Sequence, residues 1–353
     1  MDIWGEMEHG HFEQLVFVHD PDSGLKAVIA IHNTTLGPAL GGCRMWAYPS
    51  EEAAVQDALR LARSMTYKSA AAGLAYGGGK AVILAPPASG KREAAFRAFG
   101  RAVQGMGGRY ITGLDLGTTV TDMDRISDET DYVTDISGSL GAVGDFTAKM
   151  TAYGVFLGIK TALEEIYGSD DLNGRTIAVQ GMGKVGYWLC RYLSRAGVSL
   201  IITDTNEAAL RRASEDFAGA NPVSPDVIHR TTCDIFAPCA IGGILNDVTL
   251  PQLNCKIVAG AANNQLVEER IGAALAMRGI LYAPDYIINA GGIIVTAAEL
   301  ASCDADFAER QVERIRTTLR RVFASAKAAG ITPGEAADRL ALQALAQRQT
   351  RQS

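Results

Sequence analysis

An α/β protein of two domains is what this sequence predicts, and three observations predict it. The chain has 353 residues, more than one hydrophobic core organises, since single cores stop growing near ~250–300 residues. Strand-like and helix-like stretches alternate along both halves, the pattern of strands layered with helices. A glycine-rich turn, Gly181-Met-Gly183-Lys-Val-Gly186, joins an apolar strand to an apolar-periodic helix, which marks a nucleotide-type αβ unit. The reading places a first domain over 1–145 and a second over 146–330, with the C-terminal helix, about 331–353, running back to the first. A cleft between two such domains is the natural place for a ligand.

The first half opens on strand-like Gln14–His19 and Leu25–His32, separated by Asp20-Pro-Asp-Ser-Gly24, a hairpin signal. Helical spacing follows over Glu51–Ser64, behind Ser50 as N-cap and with acidic residues in the first turn. Strand Ala81–Leu84, helix Arg92–Met106 and strand Arg109–Thr112 continue the alternation, and Gly138–Gly144 reads as loop or hinge. The second half begins with a helical run over Thr151–Tyr167 and a polar turn, Gly168–Gly174. Strand Thr176–Gln180, helix Gly186–Ala196 and strand Leu200–Thr203 come next, then strands at Asp234–Ala237, Lys256–Ala259 and Ile280–Ala283. Such alternation predicts a parallel sheet covered on both faces. Helices over Asp304–Gly330 and from Pro333 onward close the chain.

Composition excludes several classes. A net charge of -6 and a pI near 5.5 argue against a protein that neutralises phosphate backbones, so nucleic acid is not an expected partner. Residues 1–14 carry Asp2, Glu6, Glu8 and Glu13 and no apolar run, unlike a signal peptide. The apolar stretches Ala70–Gly79 and Tyr286–Ala301 are broken by Gly, Asn or Glu, so no membrane span is expected and the location expected is the cytoplasm. The six cysteines are scattered, and Cys233 and Cys239 are too far apart for a zinc knuckle, so buried thiols rather than a metal site are expected.

In the glycine turn, the first glycine permits the tight bend, the second lets backbone approach a pyrophosphate, and the third packs helix on strand. The helix N-terminus offers free amides to phosphate. Asp204 ends the next strand, about 20 residues on, where an acid bonds a ribose hydroxyl and repels a 2′-phosphate. NAD is the cofactor this predicts. Gly181, Gly183, Lys184, Val185, Gly186 and Asp204 are its candidate residues, with Thr151 from the preceding helix.

Two lysines stand out among residues of a type that is ordinarily solvated. Lys68 lies in Met65-Thr-Tyr-Lys68-Ser and Lys80 in Gly77-Gly-Gly-Lys80-Ala, beside the uncharged stretches 69–79 and 81–88. Oxidising an amino acid needs a cation for the carboxylate and a base that is neutral near working pH. A lysine beside another cation in an apolar cleft has a depressed pKa and serves as that base. Asp115, in a loop after a strand, is placed to exchange protons with an amine. The five histidines have no evident acid–base setting, which disfavours a 2-hydroxy acid dehydrogenase.

These residues resemble the leucine, valine and phenylalanine dehydrogenases, relatives of glutamate dehydrogenase. The matching stretches are Thr35-Leu-Gly-Pro-Ala-Leu-Gly-Gly42, Met65-Thr-Tyr-Lys68, Gly77-Gly-Gly-Lys80, Asp115-Leu-Gly-Thr118, Ala237-Pro-Cys-Ala240, Gly260-Ala-Ala-Asn-Asn-Gln265, Tyr282-Ala-Pro-Asp-Tyr286 and Asn289-Ala-Gly-Gly292. The resemblance implies an N-terminal αβ domain for substrate, catalysis and oligomerisation, and a Rossmann-type NAD-binding domain across a cleft. It implies that Lys68 holds the substrate carboxylate, Lys80 activates the water that attacks the imine, and Asp115 handles the amine proton. Gly41 and Gly42 would leave room for the amino acid backbone. Asn263 or Asn264 would contact the nicotinamide or the substrate carboxylate, with Asn289 near the nicotinamide. The α-hydride passes to NAD, and hydrolysis of the imine gives a 2-keto acid and ammonium.

Within that family the side-chain pocket matches Leu40, Met65, Gly113, Ile293 and Thr296. Leu40-Gly-Gly-Cys-Arg-Met-Trp46 and Glu51-Glu-Ala-Ala-Val look most like the leucine enzymes, so a branched-chain substrate is expected. Gly113 looks like the phenylalanine and tryptophan enzymes, where the leucine enzymes carry alanine, and implies room for larger substrates. Thr296 replaces an apolar residue, and the segment 138–150, with Lys149, departs from the family pattern. An aromatic substrate is the alternative; a non-catalytic NAD-binding protein is a second, which intact Lys68, Lys80 and Asp115 disfavour. A homo-oligomer is expected. Because the chain ends soon after Leu340 where leucine enzymes carry a longer tail, a dimer is expected rather than an octamer.

Overall fold

The computed structural model describes residues 2–84 and 90–352, so the uncharged stretch after Lys80 lies outside the described residues from position 85 on. The chain forms two compact units. One is Met1–Gly144 with Thr296–Asp304 and Ala341–Ser353; the other is Asp145–Val295 with Ala305–Leu340. The C-terminal helix is therefore divided between them after Leu340, not assigned whole to the first.

The first unit starts with a short helix that has no sequence signal beyond its cap, α1 (Ile3–Gly10), where Asp2 accepts from the Gly5 amide. Strands β1 (Gln14–Asp20) and β2 (Leu25–Asn33) form the expected hairpin, in register from Gln14↔Ile31 to Asp20↔Leu25. After β3 (Ala39–Leu40) and β4 (Cys43–Trp46) comes α2 (Glu51–Ala71), then β5 (Gly77–Leu84), α3 (Arg92–Gln104), β6 (Tyr110–Ile111) and α4 (Val120–Ser127). The sheet order is β1-β2-β5-β3-β6, with β4 also beside β5. It is mixed: β5 runs antiparallel to β2 and parallel to β3 and β4.

Alternation along β2 decides the layers. Leu25, Ala27, Ile29 and Ile31 pack with Phe96 and Phe99 of α3 and with Met123 and Ile126 of α4. Val28 and Ala30 face the other way, onto Ala54, Val55, Ala58, Leu59 and Ala62 of α2. Two features differ from expectation. Helix α2 continues seven residues past Ser64 and so carries Lys68 in its last turn. Strand β5 begins at Gly77, four residues before the expected Ala81, and a Cβ at Gly77, Gly78 or Gly79 would strike Asn33, Thr66 or Tyr110, so these strand positions hold glycine under close contact.

In the second unit, α5 (Phe146–Tyr167) begins five residues before the expected start, and Lys149 lies over the Trp188 ring at 4.6 Å. It is followed by β7 (Thr176–Gln180), α6 (Lys184–Arg195), β8 (Ser199–Thr203), α7 (Glu207–Asp216) and β9 (Asn221–Pro222). Then come β10 (Ile235–Pro238), β11 (Ile257–Val258), α8 (Arg270–Met277), β12 (Leu281–Tyr282), α9 (Asp285–Ile288), α10 (Gly291–Leu300), α11 (Ala305–Ala329) and α12 (Pro333–Gln352). The sheet is parallel throughout, in the order β12-β11-β10-β7-β8-β9. Counted from β7 this is the doubly wound dinucleotide topology, whose strand order reverses at β7. The switch point thus falls where the glycine turn leaves β7. Among the described residues no helix is long and apolar enough to cross a membrane.

Candidate active site

Lys80 of β5, Arg44 of β4 and Asp115 from the loop after β6 meet in the first unit. Lys80 projects from β5, nearly fully buried, and its Nζ meets Asp115 Oδ2 at 2.9 Å. Asp115 sits in the loop after β6, which Cys43 holds by donating its amide to Gly113 O at 2.9 Å. The Asp115 amide in turn donates to Thr118 Oγ1 at 3.0 Å. A second cation, Arg44 of β4, donates from Nε to the same Oδ2 at 3.1 Å. Burial alone would favour the protonated acid, but Lys80 and Arg44 outweigh it and hold the Asp115 carboxyl well below the usual carboxylate range. The contact that Lys80 makes is thus with an anion, and the second cation reaches that anion from another strand.

Lys68 is buried in the last turn of α2, one helical turn from Met65. Leu40 is buried at the end of β3. At Gly41 a Cβ would collide with Gly79 O and at Gly42 with Leu114 O. Protein backbone, rather than open room, excludes a side chain at both positions. Gly113 is similar: its Cβ would stand 2.5 Å from Thr134 Oγ1 and 2.7 Å from Asp135 Oδ2. The room expected beside Gly113 for a larger substrate is filled in that direction by Thr134 and Asp135. Ile293 and Thr296 are three residues apart on α10, hence on one face, Ile293 buried and Thr296 half-buried.

The glycine turn of the second unit fits a dinucleotide on its own geometry. Gly181 holds φ 101, a bend that favours glycine. Among the described residues, no heavy atom beyond its chain neighbours lies within 4 Å of where a Gly183 Cβ would stand, the open approach a pyrophosphate needs. A Cβ at Gly186 would strike Gly181 O, so this glycine lets α6 close on β7. The N-cap of α6, Gly183, makes no side-chain cap bond, which leaves first-turn amides for phosphate oxygens. Asp204, just past β8, accepts from the Met182 amide at 2.5 Å and the Asn206 amide at 2.7 Å, so its carboxylate is fixed beside the turn. Lys184 is largely exposed and pairs with Asp145 at 2.7 Å, and Val185 is half-buried.

The three asparagines differ in their surroundings. Asn289 is buried and donates through Nδ2 to Asn263 Oδ1 at 2.8 Å and to Ala261 O at 3.0 Å. Among the described residues its buried Oδ1 has no hydrogen-bond partner, an unmet acceptor that suits a carboxamide donor. Asn264 holds a left-handed φ of 51, a turn role. Thr151 donates to Thr147 O at 2.8 Å and approaches Gly292 closely enough that a Cβ there would lie 2.9 Å from its Oγ1.

Arg44 and Asp57 join the charged cluster although nothing local in the sequence marks them. The one hint is an arginine inside the glycine-bearing stretch Leu40–Trp46.

Known proteins of similar length match this chain from end to end. Residues 12–132 match the family model described as Glu/Leu/Phe/Val dehydrogenase, dimerisation domain. Residues 141–212 and 199–353 match that of Glutamate/Leucine/Phenylalanine/Valine dehydrogenase. A leucine dehydrogenase of Bacillus subtilis (strain 168) is 56% identical over 97% of this chain and 93% of that protein. A valine dehydrogenase of Streptomyces virginiae is 46% identical over 95% and 94%. The solved structure of L-tryptophan dehydrogenase from Nostoc punctiforme superposes with a TM-score of 0.82 at 44% identity, covering 99% of this chain and 100% of that one. With both parts matched in order over nearly the whole length, this chain belongs to the NAD(P)-dependent Glu/Leu/Phe/Val dehydrogenase family.

Proposed function

We propose that this amino acid dehydrogenase carries out the NAD-dependent, reversible oxidative deamination of a branched-chain, leucine-like L-amino acid to its 2-keto acid, ammonium and NADH. The observation that carries the reading is the Lys80–Asp115 pair at 2.9 Å, with Lys80 buried and Asp115 half-buried, a base and an acid–base partner in contact. Bound NAD supplies the hydride acceptor. In this reading Lys68 binds the substrate carboxylate and Asp115 exchanges the proton of the amine. Lys80 takes a proton from the water that adds to the imine carbon, and the carbinolamine then collapses with loss of ammonia. Leu40, Met65, Ile293 and Thr296 face the side chain, while Gly41, Gly42 and Gly113 let the loops around it close. Asn263 and Asn289 orient the carboxamide end of the cofactor, and Asp204 favours NAD by binding ribose hydroxyls and repelling a 2′-phosphate.

An aromatic substrate is the second reading, favoured by the 44% identity to a tryptophan dehydrogenase. A homodimer is proposed from the dimerisation domain matched over residues 12–132. The cytoplasm is proposed because all six cysteines are free thiols, the state a reducing compartment maintains. One assay tests the function: NADH consumption with ammonium across aliphatic and aromatic 2-keto acids, repeated with NADPH. The highest kcat/KM is expected for 4-methyl-2-oxopentanoate with NADH. A preference for phenylpyruvate or indolepyruvate, or consumption that ignores ammonium, would refute it.

A further inference from the structure

The Lys80–Asp115 pair has a third member that the reaction does not itself call for. Arg44 lies on β4 opposite Val82 of β5, two residues past Lys80. Its guanidinium bridges two carboxylates, donating to Asp115 Oδ2 at 3.1 Å and to Asp57 Oδ2 at 3.0 Å. Asp57, on α2, is held in turn by the Tyr48 hydroxyl at 2.6 Å and by Arg60 at 2.7 Å. The Arg44 and Asp57 side chains are only 16% and 12% exposed. This is a built network, outside the regime where surface pairs contribute little.

Lys80 and Arg44 meet the same carboxylate oxygen, but only one of them can release its charge. A lysine acting as base is neutral for part of each turnover and then no longer compensates Asp115. A guanidinium stays charged throughout. Without it, a buried carboxylate beside a neutral lysine would draw a proton.

We propose that Arg44 is a positioning residue for this reaction: anchored by Asp57, it fixes Asp115 against Lys80 and keeps that carboxylate ionised while Lys80 is neutral. The inference rests on the deamination reading above. Among the described residues, the groups that face Asp115 are Lys80 from β5, Arg44 and the Cys43 thiol from β4, and the Tyr110 phenol from β6. Asp57, Tyr48 and Arg60 stand behind Arg44. Burial pushes the Cys43 thiol up to about 12 and the Tyr110 phenol well above its ordinary value. Neither of these two ionises near neutrality.

The test follows the Asp115 carboxyl by 13C NMR in the full-length protein without substrate, alongside steady-state kinetics, for wild type, Arg44→Gln and Arg44→Lys. In Arg44→Gln the Asp115 titration should rise by about 1–3 units, the range an opposite charge within ~4–6 Å commands. Its kcat should fall on the order of tenfold to a hundredfold, at or below the low end of the ~10²–10⁴ that a positioned acid or base contributes, with KM for the keto acid little changed. Arg44→Lys keeps the charge without the two-sided hold, so the titration should stay low and kcat recover in part. An Asp115 titration that ignores Arg44→Gln overturns the inference. If Arg44→Gln does not fold, Asp57→Asn removes the anchor instead, and a wild-type kcat there overturns it equally. Because the titration needs no turnover, a wild-type protein inert toward amino acids would strike the functional reading, whereas an active one with an unmoved Asp115 would strike this inference alone.

Discussion

Gly113 owes its identity to its neighbours. Its backbone is outside the left-handed region, so alanine meets no conformational barrier; the obstacle is space. A methyl there would press on Thr134 Oγ1 and on Asp135 Oδ2, and that Asp135 oxygen accepts the Leu114 amide at 3.0 Å. The disturbed bond lies one residue before Asp115. Gly113→Ala should therefore lower kcat/KM for phenylpyruvate and 4-methyl-2-oxopentanoate together and leave their ratio unchanged. It should also destabilise the protein by about 1–3 kcal/mol, the usual cost of overpacking, seen as an earlier urea transition. A ratio that moves about tenfold toward the compact keto acid would show instead that the methyl faces substrate.

At the scale of elements, α2 matters most to the site because it carries Asp57, Met65 and Lys68 on one rigid body. Its start is set by Ser50, whose hydroxyl accepts from the Ala53 amide at 3.1 Å, followed by Glu51 and Glu52 at the positive end of the helix. Ser50→Ala should cost about 0.5–2 kcal/mol and lower the melting temperature, while KM and kcat below the transition stay as they are. An unchanged melting temperature would mean that the cap contributes nothing. This start was legible in sequence for the same reason that β7 was: cap chemistry and a bounded apolar run are local signals. Strands expected at Arg109–Thr112, Lys256–Ala259 and Ile280–Ala283 are present as the short β6, β11 and β12, whereas β3, two residues long, shows no period and was not legible. The last third of α2 was also hidden, since Met65-Thr-Tyr-Lys68 interrupts the apolar repeat although Thr66 and Lys68 are buried. The glycine turn could be read because strand, turn and helix are contiguous. The contact of Arg44 with Asp115, 71 residues apart, depends on the pairing of β4 with β5, which no stretch of sequence contains.

Stability of the whole molecule should respond to acid in two stages, through two kinds of buried group. His32 lies on β2 with its ring between the Thr66 hydroxyl, 2.8 Å from Nδ1, and Gly10 O, 3.2 Å from Nε2. In the neutral ring Nε2–H donates to the carbonyl and Nδ1 accepts from Thr66, so both nitrogens are satisfied without charge. Burial, with the nearby Arg63 charge, lowers the His32 pKa to about 4 from an ordinary 6.5. A depressed folded-state value means that the unfolded chain binds the proton first. The stability His32 contributes is complete above pH 6.5 and drains away as the pH falls toward 4, on the order of 3 kcal/mol at most. Asp115, Asp57 and Asp122 act lower. Burial opposes ionisation in each, yet their cationic and hydrogen-bonding partners hold each carboxyl below its ordinary 3.8. Their contribution is intact above that value and is lost as the pH falls beneath it. Urea transitions measured from pH 7 downward should therefore move to lower denaturant first between 6.5 and 4, then again below 3.8. His32→Gln should flatten the first stage and leave the second, and Asp115→Asn should reduce only the second. A first stage that survives in His32→Gln would assign it to another group and remove His32 from the acid response.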